Sequence, residues 1–483
     1  MSKSLRVLSA LICPLLWVTC AYAQGVVASV EIVPGSPYTA IIEGRFSSAS
    51  NQRELRFLTT YGQISDLDQR ISEIELRDGD GRKIASHKIS AGRFIAESDF
   101  LTWSYKVDVS AIKEAFASAH LSWANSEGSL ITPRDLLPQG LGAARITVKA
   151  PEGWEVHSNY RSSSKYVFDI EDLDTAVIHA GPKFREQTIK SSGTDIDILI
   201  AGNWLFADDE AVKMAGSILA SYTELFGRVP SDRIQIAIRP FPTRLAVGNW
   251  EAGSRGSSIT IMSSDMPFKN QSLQRLHEQL RHEIFHLWVP NALSLTGNYD
   301  WFYEGFALYQ SLKTGVGVNR LRFDDFLDTL ARAYDIEASR NTRVSLVSES
   351  QGRLNRSEIY SRGMLTAFAA DLAILRASNG NRSISQLLKR VFESHHGTAA
   401  VNGNQAVLQK MREYKELRPI VEQNIVGTTP VEWPELLKVA GLEIQDQGSA
   451  SRIKVAGKLT GRQKEVLDRL GYNNWQKLPR GDR

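Results

Sequence analysis

His282, Glu283, Ile284, Phe285 and His286 set two imidazoles four residues apart with a carboxylate between them. On a helix, residues i and i+4 share one face about 6 Å apart along the axis, so both rings can converge on a single divalent ion. Glu283 is rotated by about 100° from His282, which leaves it free to take a proton from water instead of binding the metal. Zinc-assisted hydrolysis is the chemistry such a set suits, and it needs a third protein donor with a fourth position left open. Trp301-Phe302-Tyr303-Glu304-Gly305 supplies that donor in Glu304. A pair of buried histidines and a surface glutamate is the plainer reading of these residues. Against it stands the aromatic setting of Glu304, where a carboxylate is costly to bury without a cation.

Roles follow from this chemistry. His282, His286 and Glu304 are the expected zinc ligands, and Glu283 the general base that passes a proton from water to the leaving amine of a peptide. An oxyanion developing on the scissile carbonyl needs a donor. Tyr360, opening Tyr360-Ser361-Arg362-Gly363, is the candidate, with Tyr303 and Tyr334 as alternatives and a purely structural tyrosine as the other reading. Arg362 has either a substrate or Asp371 as its expected partner. His277 has Arg281 one turn on, where a second ligand would be needed, so it falls outside the ligand set as a surface or supporting residue.

These side chains need elements to hold them. Ser272 to Val289 contains no Pro or Gly, carries Leu276, Leu280 and Ile284 at helical spacing and stops before Pro290, which predicts the helix the histidines require. A second helix over Asp300 to Leu312 carries Glu304. Ahead of them, Asp195 to Ile200, Ile234 to Arg239 and Ile259 to Met262 read as strands and Ala207 to Phe226 as an amphipathic helix. The last strand is the expected sheet edge, able to pair with an extended peptide. Further helices are expected at Phe323 to Asp335, Tyr360 to Arg376, Ser383 to Phe392 and Asn404 to Tyr414. Before residue 180 the chain is instead dominated by short alternating runs such as Val26 to Ile32, Tyr38 to Ile42, Lys83 to His87 and Ala144 to Lys149, pointing to a β-sandwich-like domain.

Lys3 and Arg6, a short apolar run and Ala21-Tyr22-Ala23 read as a secretory signal cleaved before Gln24, placing the chain in the periplasm or outside the cell. The apolar run is too short to span a bilayer, and no stable membrane insertion is expected. Both cysteines, Cys13 and Cys20, fall inside that signal, which excludes disulfides and thiol catalysis from the mature chain. Its loss lowers the formal net charge from +3 to +1, too little to attract nucleic acid. The expected organisation is therefore multidomain α+β: a signal at 1–23, a β-sandwich-like domain at 24–180, a catalytic domain with a helical half at 181–443, and a loosely held polar, basic tail at 444–483.

From His282 through Glu304 the chain resembles the gluzincin zinc metallopeptidases. Across Val26 to Leu442 it is similar to the glycyl aminopeptidase family among them, through His286-Leu287-Trp288, Trp301 to Gly305, Tyr360 to Gly363, Leu365 to Arg376 with Asp371, Gly427-Thr428-Thr429-Pro430 and Ala440-Gly441-Leu442. The resemblance implies a thermolysin-like catalytic domain, a zinc cofactor and a peptide or protein substrate. It also implies zinc ligands at His282, His286 and Glu304, the base at Glu283 and the transition-state donor at Tyr360. Two departures accompany it. The family's amine-binding glutamate precedes its edge strand, whereas Asn249 to Arg255 has no glutamate in that place. The stretch after Leu442 is also too short for the PDZ domain the family often appends. Trp250 and Arg255 are the candidate substrate-side residues, Arg255 suiting a carboxylate better than an ammonium group. A noncatalytic peptide-binding protein on the same scaffold is the competing class.

Overall fold

The structure, a computed structural model, describes residues 25–48, 52–339, 343–349, 356–446, 448 and 450–477. The expected signal at 1–23 lies outside them. Strands up to Ile178–Gly181 build three sheets that share one apolar core. The largest has eight strands, in the order Ser162–Ser164, Val167–Ile170, Ala144–Lys149, Val26–Val33, Thr39–Arg45, Thr102–Asp108, Ile71–Arg77 and Lys83–Ile84. Alternation puts Trp103, Tyr105 and Val107 of one central strand, which was not among those expected, into the core. The strand expected over Lys83 to His87 is two, Lys83–Ile84 and Ser86–Ser90, which belong to different sheets.

A second sheet of five strands follows, ordered Arg185–Ser191, Thr194–Ile200, Arg233–Pro240, Ser258–Ser263 and Trp250–Arg255. The expected edge is corrected here. Ser258–Ser263 is an inner strand, buried at every position, because Trp250–Arg255 turns back and pairs antiparallel along it. Trp250–Arg255, with its three small residues and its terminal Trp and Arg, carries little strand signal of its own. Asp208–Phe226 packs with this sheet; Glu210 caps its start by accepting from the Ala207 N–H at 2.8 Å, and Gly227 ends it in the left-handed region at φ 85°.

The metal-bearing helix runs Lys269–His286 and the glutamate helix Asp300–Gly317. Trp288, just past the first, is fully buried, stacks on Phe226 with centroids 5.3 Å apart and donates from Nε1 to the Arg228 carbonyl. It thereby fixes the end of the helix against Asp208–Phe226. Arg356–Ala377 lies along the glutamate helix, and its Asp371, fully buried, accepts from Tyr309, Lys313 and the Ile384 N–H.

The described residues of the segment expected to be a loose tail, which reach 477, are folded. Leu442–Asp446 and Ser451–Val455 form an antiparallel hairpin, and Gly461–Leu470 is a helix whose Val466, Leu467 and Leu470 are buried in the main helical core. Its polar composition hid three apolar positions at helical spacing. The described residues thus comprise a β-rich N-terminal part followed by a largely helical one. No described helix is long and apolar enough to cross a membrane.

Candidate metal centre

His282 and His286 project from one face of their helix toward Glu304. Their Nε2 atoms are 3.0 Å apart, and Glu304 Oε2 stands 3.2 Å from His282 Nε2 and 3.5 Å from His286 Nε2. Tetrahedral donors about 2.0–2.1 Å from a zinc ion stand about 3.3 Å from each other, so the three atoms fit such an ion. Two imidazoles and a carboxylate are also the donor set zinc takes in hydrolytic sites. His286 Nδ1 lies 2.8 Å from the Val289 carbonyl, which can only accept; Nδ1 therefore keeps its proton, and Nε2 is the nitrogen that can bind a metal once it has lost its own. This cluster is the one group of potential metal ligands among the described residues.

Electrostatics couple the three. Burial would lower the pKa of His286, but the Glu304 carboxylate overrides it and raises the metal-free imidazole to about 9. Burial alone would raise Glu304; His286 and His282 instead hold it well below the usual carboxylate range. Glu283, 5% exposed, is raised by burial, an effect that His282 and His286 partly offset. A carboxylate whose proton affinity has been raised next to two metal-ligating imidazoles is suited to act as a base.

The glutamate helix can come this close because two glycines meet. A Cβ on Gly305 would stand 2.3 Å from Gly363 Cα, and one on Gly363 would stand 2.1 Å from the Trp301 carbonyl oxygen. Gly305 follows Glu304 directly and Gly363 lies one turn beyond Tyr360, so the same contact brings the half-buried Tyr360 to the glutamate helix. The Tyr303 ring centroid lies 6.3 Å from that of His286. Arg362 does not reach Asp371: it donates to the Val344 carbonyl and pairs with Glu337 at 3.3 Å. His277 is buried on the opposite side of the metal helix, not on the surface.

Along the edge strand, Trp250 is 40% exposed, with the Arg275 guanidinium 5.2 Å above its ring. Arg255, at the other end, donates to the His120 carbonyl at 3.3 Å and so binds the N-terminal part. His120 itself went unnoticed in the sequence. Its Nε2 lies 3.4 Å from Glu251 Oε1. Residues so far apart in the chain left no local signal of their meeting. Gly253 makes room for it, since a Cβ there would stand 2.3 Å from His120 Cε1.

No family model matches the chain, and no curated protein matches it. Solved structures do. The chain is similar to an aminopeptidase N family protein from Idiomarina loihiensis, with a TM-score of 0.74 and 15% identity over 90% of this chain and 82% of that one. It is also similar to an M1 zinc metallopeptidase from Deinococcus radiodurans, with a TM-score of 0.53 and 17% identity over 84% of this chain and 95% of that one. A variant of the latter bound to a Tyr-Ser-Ala substrate gives 0.53 and 16% over the same shares. The fold is thus that of the two-domain M1 zinc metallopeptidases.

Proposed function

We propose that this protein hydrolyses peptide bonds with a zinc ion held by His282, His286 and Glu304. The observation that carries the reading is the convergence of these three donors beside a buried Glu283. Bound zinc supplies Lewis acidity, polarising the scissile carbonyl and making water a stronger acid. Glu283 takes the proton of the attacking water and delivers it to the departing amine. Tyr360 donates its hydroxyl to the oxyanion, and the exposed edge of Trp250–Arg255 offers main-chain hydrogen bonds to an extended substrate. With residues 1–23 read as a secretory signal, the enzyme acts outside the cytoplasm.

The finer likeness, to glycyl aminopeptidases, rests on the quoted motifs. An aminopeptidase needs an acid for the substrate's free amine, and Glu251 beside His120 is the carboxylate that the edge strand supplies. Matched peptides with free and acetylated N-termini test this. Cleavage of the free series alone supports the aminopeptidase; equal cleavage of both makes the enzyme an endopeptidase. No turnover of either by zinc-replete protein returns the chain to the noncatalytic class.

A further inference from the structure

On the side of the metal helix facing away from the metal cluster, a cavity of about 870 Å³ opens between that helix, the end of the glutamate helix, Phe323–Ala338 and the segment around Tyr472. That is the size of a small-molecule site. His277 and Arg281, one helical turn apart, both face it, and each is only 4% exposed. Arg281 Nε is buried without a hydrogen-bond partner. Its guanidinium is also seated firmly, because Gly315 leaves the space it fills: a Cβ there would stand 1.9 Å from Arg281 Nη1. A guanidinium locked out of bulk water and short of partners is unfavourable unless something arrives to accept its hydrogens.

Three carboxylates also line the cavity, all of them exposed. Glu278 binds Arg275 at 2.8 Å, and Asp324 and Asp325 lie 3.7 and 3.8 Å from Arg322. Among the described residues Arg281, Arg320 and Arg332 make no ion pair within 4 Å, although the charge of Glu278 acts on Arg281 and that of Glu210 on Arg320. Burial and the neighbouring Arg281 and Arg320 push His277 down to about 3, so it lines the cavity as a neutral imidazole. Four guanidinium groups stand against three carboxylates around this space, and the buried Arg281 Nε–H has no acceptor in it.

We propose that this cavity is a second binding site, distinct from the metal centre, that takes a small molecule through a phosphate or carboxylate group held by Arg281 and Arg320. The planar guanidinium of Arg281 is the anchor, since it can meet two oxygens of an oxyanion at once. Arg320 and Arg332, both exposed, gather the charge at the mouth.

Thermal-shift titration of zinc-loaded protein with inorganic phosphate tests the site, at ionic strength held constant with chloride. A saturable rise in Tm above the chloride control is expected, absent in Arg281→Gln and with affinity about tenfold weaker in Arg320→Gln. Arg320 is exposed, so its variant reports on the site even if Arg281→Gln does not fold. N-acetylated peptides with a free C-terminus, run beside their amides, separate the sources. A saturable shift with the acids alone assigns a carboxylate ligand, and one with phosphate alone assigns a phosphate ligand. If neither phosphate nor the acids exceed chloride, or if the shift is the same in wild type and Arg320→Gln, the proposal is overturned.

Discussion

At the scale of single residues, the separation of Glu283 from the ligand set makes a sharp expectation. Glu283→Gln keeps the shape of the site but not the base, so kcat should fall by about 10²–10⁴-fold while the zinc content by metal analysis stays near one per chain. His282→Ala should lower both, because it removes a donor. The raised His286 adds a pH dependence: its proton must leave before the metal binds. Zinc affinity should therefore climb by about tenfold per pH unit from neutrality and level off near the pH of about 9 at which the free imidazole has lost its proton, as read by competition with a metal buffer. An affinity flat across that range would contradict the coupling to Glu304.

At the scale of elements, the crossing of Asp300–Gly317 over Arg356–Ala377 decides where Glu304 stands. Gly363→Ala forces a methyl onto the Trp301 carbonyl and should cost about 3 kcal/mol in urea unfolding, together with a loss of zinc affinity as Glu304 is pushed aside. Leu467→Ala should destabilise by about 2–5 kcal/mol, since Gly461–Leu470 closes the helical core; a negligible loss would restore the picture of a loose tail. His277 gives the metal helix a pH dependence of its own. An unfolded histidine titrates near 6.5 and the folded one at about 3, so between these values the unfolded chain carries the extra proton. Stability from this residue is complete above pH 6.5 and is lost as pH falls toward 3. The acid side of the stability profile should be shallower in His277→Gln than in the wild type.

At the scale of the whole molecule, the N-terminal β-rich part does more than support the catalytic sheet. Arg255 donates to the carbonyl of His120, and the His120 ring occupies the space that Gly253 leaves at the edge strand. Gly253→Ala should therefore displace His120 and raise KM for peptides while the zinc content is unchanged. A fall in zinc content with KM unaltered would show that this contact serves the metal site instead of the substrate.

The cluster of two histidines and a glutamate and the helices that carry it were legible in the chain because they are local: two histidines one turn apart, an apolar stripe without helix breakers and a glutamate in an aromatic helix. The β-rich character of the first part was equally legible from period-2 alternation. Partnership between distant segments was not. Which strand forms the sheet edge depends on a strand turning back to pair antiparallel, and small residues such as Ala252 and Gly253 carry no pattern that announces it. The Gly305–Gly363 crossing, the reach of His120 to Glu251 and the packing of the polar 444–477 segment are likewise contacts between residues far apart in sequence. Periodicity reports which face of an element is apolar. Only tertiary structure decides what that face meets, because close approach depends on the shape of both partners at once.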